Sequence, residues 1–209
     1  MKIIYSGFGK TGSRSIGDFI ECIVGYKSYV GRTFDLHSHP TKLRLGEDVY
    51  ELDMEDVASS LHFGKVDNPV VYDYLRDNKD MIARDFPYFG MYKYINENYE
   101  DSKFIICIRE TESLLNSYKN HNEWLLPIAR NKANYVYLGV NGPYTDEYKE
   151  RLKIVYELHN YRVLEYFKDK PGKLLVLKFE EIGTEKFEKQ ILDFLGLENP
   201  ENVRMKNIK

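Results

Sequence analysis

Glycines, hydroxyl residues and cations are concentrated in one short segment near the start of the chain, from Ser6 to Ser15. Glycines allow a tight turn, and hydroxyl and cationic side chains are donors that suit an anion. The segment follows a short apolar run and precedes residues with helical spacing, a position where backbone N–H groups and the helix dipole converge on an anion. The sequence therefore predicts a phosphate-binding turn, since a purely structural glycine turn would not need so many donors.

Two general phosphate-binding motifs fit this segment only in part. The end of a Walker A loop is present at residues 9–11, but Ile4 stands where that motif has its first glycine. The dinucleotide fingerprint matches the glycines at 7, 9 and 12, yet it requires an acidic residue after the second strand, where Arg32 stands. Only an NADP-type variant of the fingerprint would tolerate that arginine. The turn by itself leaves its ligand open.

Apolar runs alternate with segments of helical spacing along the chain. Residues 1–5, 103–108 and 173–179 are short apolar runs, as expected of strands that helices cover on both faces of a parallel sheet. The segments with helical spacing are 13–24, 112–124, 146–167 and 185–195. The predicted fold is α/β, a three-layer sandwich with a central parallel sheet flanked by helices, in a single domain of residues 1–209.

Weaker patterns fill the remaining parts of the chain. Residues 26–30 and 80–83 are candidate strands, and 88–98 is a candidate helix. We expect a long loop over 32–47 and two short helices within 55–75.

The composition limits the classes of partner. The chain has 209 residues and a formal net charge of −3, so it carries no overall positive charge that would attract nucleic acid or an acidic membrane. Its two cysteines, Cys22 and Cys107, lie in apolar runs and suggest reduced, buried thiols. No signal peptide or membrane-spanning run is apparent. We therefore expect a cytoplasmic protein without nucleic-acid or membrane partners.

A pair of histidines, His37 and His39, is the only pattern that suggests a metal. No cysteine or carboxylate cluster supplies further ligands at the spacing that zinc sites require. We therefore predict no metal site.

Three blocks of the chain together resemble the sulfotransferases that use 3'-phosphoadenosine 5'-phosphosulfate (PAPS). Residues 10–15 resemble the family's 5'-phosphosulfate loop, and the strand that ends at Arg109 is followed eight residues later by Ser117, as in the family's 3'-phosphate site. Residues 174–182 and 194–197 resemble its late strand, the turn after it and its Phe-Leu-Gly helix end. The blocks occur in the family's order and imply its P-loop-like architecture.

The chain departs from the family pattern at three places. Gly9 replaces a common proline, Glu110-Thr111 replaces the usual Asp-Pro, and Phe179 replaces a frequent tyrosine. None of these changes removes a charged contact.

The resemblance implies a sulfuryl donor and a role for each of several residues. PAPS would be the co-substrate, and 3',5'-adenosine bisphosphate the product. Lys10 would stabilise charge on the leaving nucleotide, while Arg109 and Ser117 would hold the 3'-phosphate. The 5'-phosphate would be held by Lys10, Thr11, Gly12, Ser13, Arg14 and Ser15.

The acceptor and the general base are less defined by the sequence. Asp85 lies in a segment that resembles an Asp-x-Pro segment in one branch of the family, and it is our first candidate base, although it could instead cap the helix that follows or pair with Arg84. His62 is the second, because imidazole has the better intrinsic pKa. The acceptor would be a hydroxyl or amine of a small molecule or carbohydrate, and the oligomeric state is open. The alternatives are a nucleotide or metabolite kinase with an irregular P-loop and a non-catalytic nucleotide-binding protein.

Overall fold

The computed structural model describes most of the chain. The residues described with their side chains are 1–25, 64–66, 69–84, 87–120, 144–199 and 202–205, and the backbone is also described at 28–30, 42–45, 48–51 and 121–124.

Seven strands lie in the described part of the chain. In chain order they are β1 (Lys2–Tyr5), β2 (Ser28–Val30), β3 (Lys42–Leu45), β4 (Asp48–Glu51), β5 (Met81–Arg84), β6 (Lys103–Ile108) and β7 (Leu174–Lys178). Five of them form a sheet in the order β2-β5-β1-β6-β7, and all of its neighbouring pairs are parallel. β3 and β4 form a separate antiparallel pair. The loop predicted over residues 32–47 is therefore wrong in its last part, which contains β3.

Six helices are described. They are α1 (Ser13–Val24), α2 (Pro69–Asp77), α3 (Tyr92–Asn98), α4 (Thr111–Trp124), α5 (Asp146–Phe167) and α6 (Glu185–Leu195), with a short 3-10 turn at Phe179–Glu181. The predicted bounds of α1, α5 and α6 are confirmed. Thr145 and Thr184 cap the last two helices, because each side chain accepts a hydrogen bond from the backbone N–H three residues later. α3 begins at Tyr92 rather than 88, because Pro87–Gly90 forms a turn. Of the two short helices predicted within 55–75, only α2 lies in the described part.

The core consists of two apolar clusters on opposite faces of the sheet. Alternate residues of β1 belong to different clusters, with Ile4 in one and Ile3 in the other. The first cluster includes buried residues of α4 and α5, and the second includes those of α1 and α6. The predicted three-layer α/β fold is thus confirmed.

The two cysteines differ from expectation in one respect. Both are free, but only Cys107 is buried, whereas Cys22 lies on the exposed side of α1. None of the described helices is both long and apolar enough to cross a membrane.

The order of the strands creates a crevice at the carboxyl ends of β1 and β6. After β1 the chain runs to β2 and β5 on one side of it, and then to β6 and β7 on the other. Ligands of open parallel sheets bind at such a reversal of strand order, outside the carboxyl ends of the strands. The Ser6–Gly12 loop leaves β1 at this point, and Arg109 directly follows β6.

Candidate functional site

The loop between β1 and α1 presents the start of a helix without a side-chain cap. Gly12 occupies the N-cap position with a φ of 91°, and it has no side chain that could cap the helix. A Cβ atom at this glycine would lie 2.5 Å from Cδ1 of Ile182, so both the conformation and the space favour glycine. A helix start of this kind suits an anion, because the first backbone N–H groups of a helix have no partner within it.

A buried hydrogen-bond network fixes the interior of the loop. Thr11 is fully buried, and its hydroxyl group donates to the carbonyl oxygen of Phe8 and is hydrogen-bonded to the hydroxyl of Tyr5, at 2.7 Å. The Tyr5 hydroxyl also lies 2.7 Å from the Thr11 carbonyl oxygen. The hydroxyl of Thr11 is thus engaged inside the protein, so any contact of Thr11 with a 5'-phosphate would have to come from its backbone.

Three cations, Lys10, Arg14 and Arg109, lie close enough to one another to interact, and the Glu180 carboxylate lies near one of them, Arg109. In the described part of the chain, no ion pair involves Lys10, Arg14 or Arg109. Partial burial of the Lys10 amine lowers its pKa, and the positive charges of Arg109 and Arg14 lower it further. The mutual repulsion of these charges would be relieved by a bound anion.

The backbone of Arg109 is bonded to α5. Its N–H donates to the Tyr156 hydroxyl at 2.8 Å, and that hydroxyl donates to the Arg109 carbonyl oxygen at 2.7 Å. This pair of bonds fixes the residue at the end of β6.

The guanidinium of Arg109 extends across the crevice to the loop. Its Nη1 donates to the carbonyl oxygen of Lys10 at 3.0 Å, and its Nε donates to the Ser113 hydroxyl at 2.9 Å. The group also lies over the ring of Phe179, 4.1 Å from its centre. The structure thus brings together two candidates that are 99 positions apart in the sequence, Lys10 and Arg109.

Glu110 caps the helix that follows Arg109. Its two carboxylate oxygens accept hydrogen bonds from the N–H groups of Ser113, at 2.6 Å, and Glu112, at 3.0 Å, and these bonds lower the pKa of its carboxyl group. A side chain thus caps the start of α4, whereas the N-cap residue of α1 is a glycine. Ser117 is half-buried on α4, one turn after Ser113. These two serines lie on the same side of the helix.

Arg84, at the end of β5, is a residue that sequence reasoning did not place in the site. Its guanidinium is buried and donates from Nη1 to the carbonyl oxygen of Arg14, at 2.6 Å, and to the carboxylate of Asp18, at 2.9 Å. A Cβ atom at Gly17 would lie 2.7 Å from the same nitrogen. Arg84 therefore fixes the first turn of α1. Its carboxylate partner in the described part of the chain is Asp18, and the alternative pairing of Arg84 with Asp85 lies outside the described residues.

His159 is a second residue that sequence reasoning missed. It is buried beneath the loop, its Nε2 lies 2.7 Å from the Ser6 carbonyl oxygen and donates to it, and the rings of Phe8 and Phe89 pack against it. Burial lowers its pKa to about 4, so the ring is neutral near pH 7. The only signal in the sequence is its position on the buried side of α5, between Tyr156 and Val163.

Both candidate bases, Asp85 and His62, lie outside the described residues, as do His37 and His39. Within the described residues, no group of three or more His, Cys, Asp or Glu could hold a metal ion.

Comparisons with known proteins found one matching family model and solved structures of similar fold. A family model described as a sulfotransferase domain matches residues 2–207. A sulfotransferase from Alicyclobacillus acidocaldarius is 16% identical and superposes with a TM-score of 0.55, over 98% of this chain and 83% of that one. A sulfotransferase domain from the curacin biosynthetic pathway is 13% identical, with a TM-score of 0.58, over 96% and 75% of the two chains. No curated protein sequence matches. At these identities the superpositions show the fold, and the predicted architecture is confirmed.

Proposed function

The chain belongs to the sulfotransferase domain family, and on this premise we propose that it transfers a sulfuryl group from PAPS to a hydroxyl or amine of a small-molecule or carbohydrate acceptor. The contact between the Arg109 guanidinium and the Lys10 carbonyl oxygen, at 3.0 Å, carries the proposal. It joins the loop after β1 to the end of β6, so that donors for two separate anionic groups meet at one crevice. PAPS has two such groups, the 5'-phosphosulfate and the 3'-phosphate.

The charge of the crevice fits a strongly anionic ligand. The uncapped first turn of α1 supplies backbone donors, and the cations Lys10, Arg14 and Arg109 supply positive charge. The hydroxyls of Ser13 and Ser15 lie in the same turn. We assign the 5'-phosphate to this turn and the 3'-phosphate to Arg109, with Ser117 as a further donor.

In the proposed reaction, the acceptor oxygen or nitrogen forms a bond to sulfur while the bond from sulfur to the 5'-phosphate oxygen breaks. Negative charge grows on that phosphate oxygen, and the Lys10 ammonium stabilises it. The acceptor proton passes to a general base, for which Asp85 and His62 remain our candidates. The nucleotide leaves as 3',5'-adenosine bisphosphate. Positioning and charge stabilisation do most of the catalysis, as in phosphoryl transfer.

We also propose a cytoplasmic location and no nucleic-acid partner. Both rest on the net charge of −3 and on the two free cysteines, which suit a reducing compartment.

Thermal denaturation with separate nucleotides tests the proposed donor. We expect 3',5'-adenosine bisphosphate at 100 times its dissociation constant to add about 2.7 kcal/mol to the free energy of unfolding. For a chain of this size, this raises the melting temperature by about 5 to 10 °C. ATP and NADPH at the same concentration should raise it far less, because neither carries a phosphate at the 3' position. Stabilisation by ATP or NADPH alone would contradict the proposal and favour the kinase or dinucleotide interpretation.

A transfer assay separates an enzyme from a non-catalytic nucleotide-binding protein. The protein is incubated with PAPS and a panel of phenols, alcohols, sugars and amines, and release of 3',5'-adenosine bisphosphate is measured. Acceptor-dependent release supports transfer, whereas binding of the nucleotide without release from any acceptor class favours the non-catalytic interpretation.

The variant Arg109→Ala tests the assignment of the 3'-phosphate. It should weaken binding of 3',5'-adenosine bisphosphate by roughly 10- to 100-fold, since a hydrogen bond to a charged group contributes about 1.5 to 3 kcal/mol. Binding of adenosine 5'-monophosphate should change much less. Calorimetric titration of both nucleotides measures the difference, and Arg76→Ala, an exposed arginine of α2, is the matched control. An unchanged preference for the bisphosphate would remove Arg109 from the site.

A further inference from the structure

The outer face of α5 carries an exposed apolar stripe. Ile154, Leu158 and Tyr161 are 60%, 40% and 63% exposed, and among the described residues only one other large apolar side chain, Val176, is comparably exposed. Their spacing of four and three residues places the three side chains on one side of the helix. Singly exposed apolar residues are ordinary on protein surfaces, but an aligned group indicates a contact surface.

Charged residues flank this stripe in a fixed order. Before it lie Glu147 and Arg151, which form an ion pair at 3.0 Å, and after it lie Glu165 and Lys168, which form another. Each charged residue is separated from the next member of the face by three or four positions, so all lie on the same side. Along the helix the face therefore reads negative, positive, three apolar residues, negative, positive. We call these seven residues the α5 face.

We propose that the α5 face binds the α5 face of a second copy of this chain, with the two helices antiparallel and a twofold axis near Leu158. Arg151 precedes Leu158 by seven residues and Glu165 follows it by seven, so each arginine meets the glutamate of the other copy. By the same symmetry Ile154 lies opposite position 162 of the other copy, one residue from Tyr161. A face that complements itself in this way is what a twofold dimer requires.

A parallel arrangement of the two helices is unfavourable. In a parallel pair, each residue of the face would meet its own copy, so that Arg151 would lie against Arg151 and Glu165 against Glu165. Like charges at close range repel each other, and they exclude wrong arrangements more strongly than matched charges add affinity. The sequence of charges thus selects the antiparallel dimer.

The size of the face limits the strength of the dimer. α5 has 22 residues and is about 33 Å long, and a helix face about 10 Å wide then offers about 330 Å² per copy. A standard stable interface buries about 800 Å² per partner. We therefore expect a weak, reversible dimer that depends on concentration. The proposal does not depend on the sulfuryl donor or on the catalytic residues.

Sedimentation over a range of concentrations tests the dimer. Between about 5 and 500 µM, a range suited to a weak complex, the average mass should rise from 24.7 kDa toward twice that value. Leu158→Glu should keep the protein monomeric over the whole range, because it places two carboxylates at the twofold axis. Circular dichroism of the variant checks that it folds.

Charge reversal tests the antiparallel orientation. Arg151→Glu and Glu165→Arg should each weaken the dimer by at least about tenfold, because each sets like charges against one another. The double variant restores the opposite pairs across the twofold axis, and its dissociation constant should return to within about threefold of the original. Lys189→Glu is the matched control, because it breaks a comparable ion pair to Asp193 on α6, and it should leave the dimer unchanged.

Three results would overturn the proposal. The first is a chain that stays monomeric at every concentration, which would assign the α5 face to a different partner. The second is a dimer that persists in Leu158→Glu, which would place the interface elsewhere. The third is a double variant that is as weak as either single one, which would exclude the antiparallel pairing.

Discussion

Replacing Lys10 by methionine is expected to lower the rate of sulfuryl transfer by about 10²- to 10³-fold, the loss typical of removing one donor that stabilises charge in a transition state. Methionine keeps the approximate length of the side chain and removes only the ammonium. The affinity for 3',5'-adenosine bisphosphate should fall much less, by under about tenfold, because the backbone donors of α1, together with Arg14 and Arg109, remain. A large fall in the turnover number with a small change in nucleotide binding therefore identifies Lys10 as a group that acts in the transition state.

Methionine should also leave the backbone conformation of the loop as it is in the original protein. Lys10 adopts a φ of 65°, a left-handed conformation in which lysine and methionine, both unbranched at Cβ, have similar strain. Glycine would relieve that strain and change the loop as well as the charge, so a glycine variant would be ambiguous. The Lys10 residue as a whole is exposed and only its amine is partly buried, so thermal unfolding of the methionine variant should match that of the original protein. Equal losses of rate and of nucleotide affinity would show that Lys10 only binds the nucleotide.

The pH dependence of catalysis gives a second test of the role of Lys10. Burial of the amine, together with Arg109 and Arg14, lowers the pKa of Lys10, so in the free protein its cationic form is lost at a lower pH than for an ordinary lysine. The value of kcat/KM should therefore decline on the alkaline side as Lys10 loses its proton. In Lys10→Arg, whose guanidinium keeps its charge, the decline should move to higher pH. An alkaline limb at the same pH in both proteins would assign that titration to another group.

Local patterns in the sequence predicted much of the sheet and several helices. β6 is a nearly continuous apolar run, and α6 combines helical spacing with a glycine at its end, Gly196, in the left-handed conformation. Such elements carry their own start and stop signals. The hairpin of β3 and β4 was not predicted, because its short strands mix charged and apolar residues and depend on pairing with each other.

The residues of the candidate site also differ in whether a local sequence pattern predicts them. Lys10 and Arg109 were predicted because each lies in a block of residues that resembles a family motif. The residues that hold the loop in place, Arg84 and His159, belong to no such block. Arg84 bonds to Asp18, 66 positions away, and His159 bonds to Ser6, 153 positions away. Contacts of this kind depend on the packing of separate elements, which a single sequence does not reveal.

His159 should make the stability of the protein depend on pH between about 6.5 and 4. The folded protein holds this ring neutral, with a pKa of about 4, whereas an unfolded chain has a histidine pKa of about 6.5. As the pH falls through this range, the unfolded chain takes up a proton that the folded protein does not, and the free energy of unfolding decreases. The stabilisation is complete above about pH 6.5, and its loss approaches roughly 3 kcal/mol by pH 4.

The variant His159→Gln isolates this contribution. A glutamine amide can still donate to the Ser6 carbonyl oxygen, but it does not titrate in this range. We expect the variant to be somewhat less stable than the original at pH 8, because the ring contacts with Phe8 and Phe89 are lost. Urea denaturation at a series of pH values should show the two proteins converging as the pH approaches 4. Carboxyl groups whose pKa the fold lowers, such as Glu110, lose their stabilisation at lower pH and are common to both proteins.

A histidine elsewhere on the chain provides the control. His121→Gln, in the last turn of α4, removes a histidine as well but leaves His159 in place, so the slope of stability between pH 4 and 6.5 should persist. If the slope persists in His159→Gln too, the ring does not titrate with a lowered pKa. The dependence of stability on pH would then come from other groups. It would not report on the hydrogen bond between His159 of α5 and Ser6.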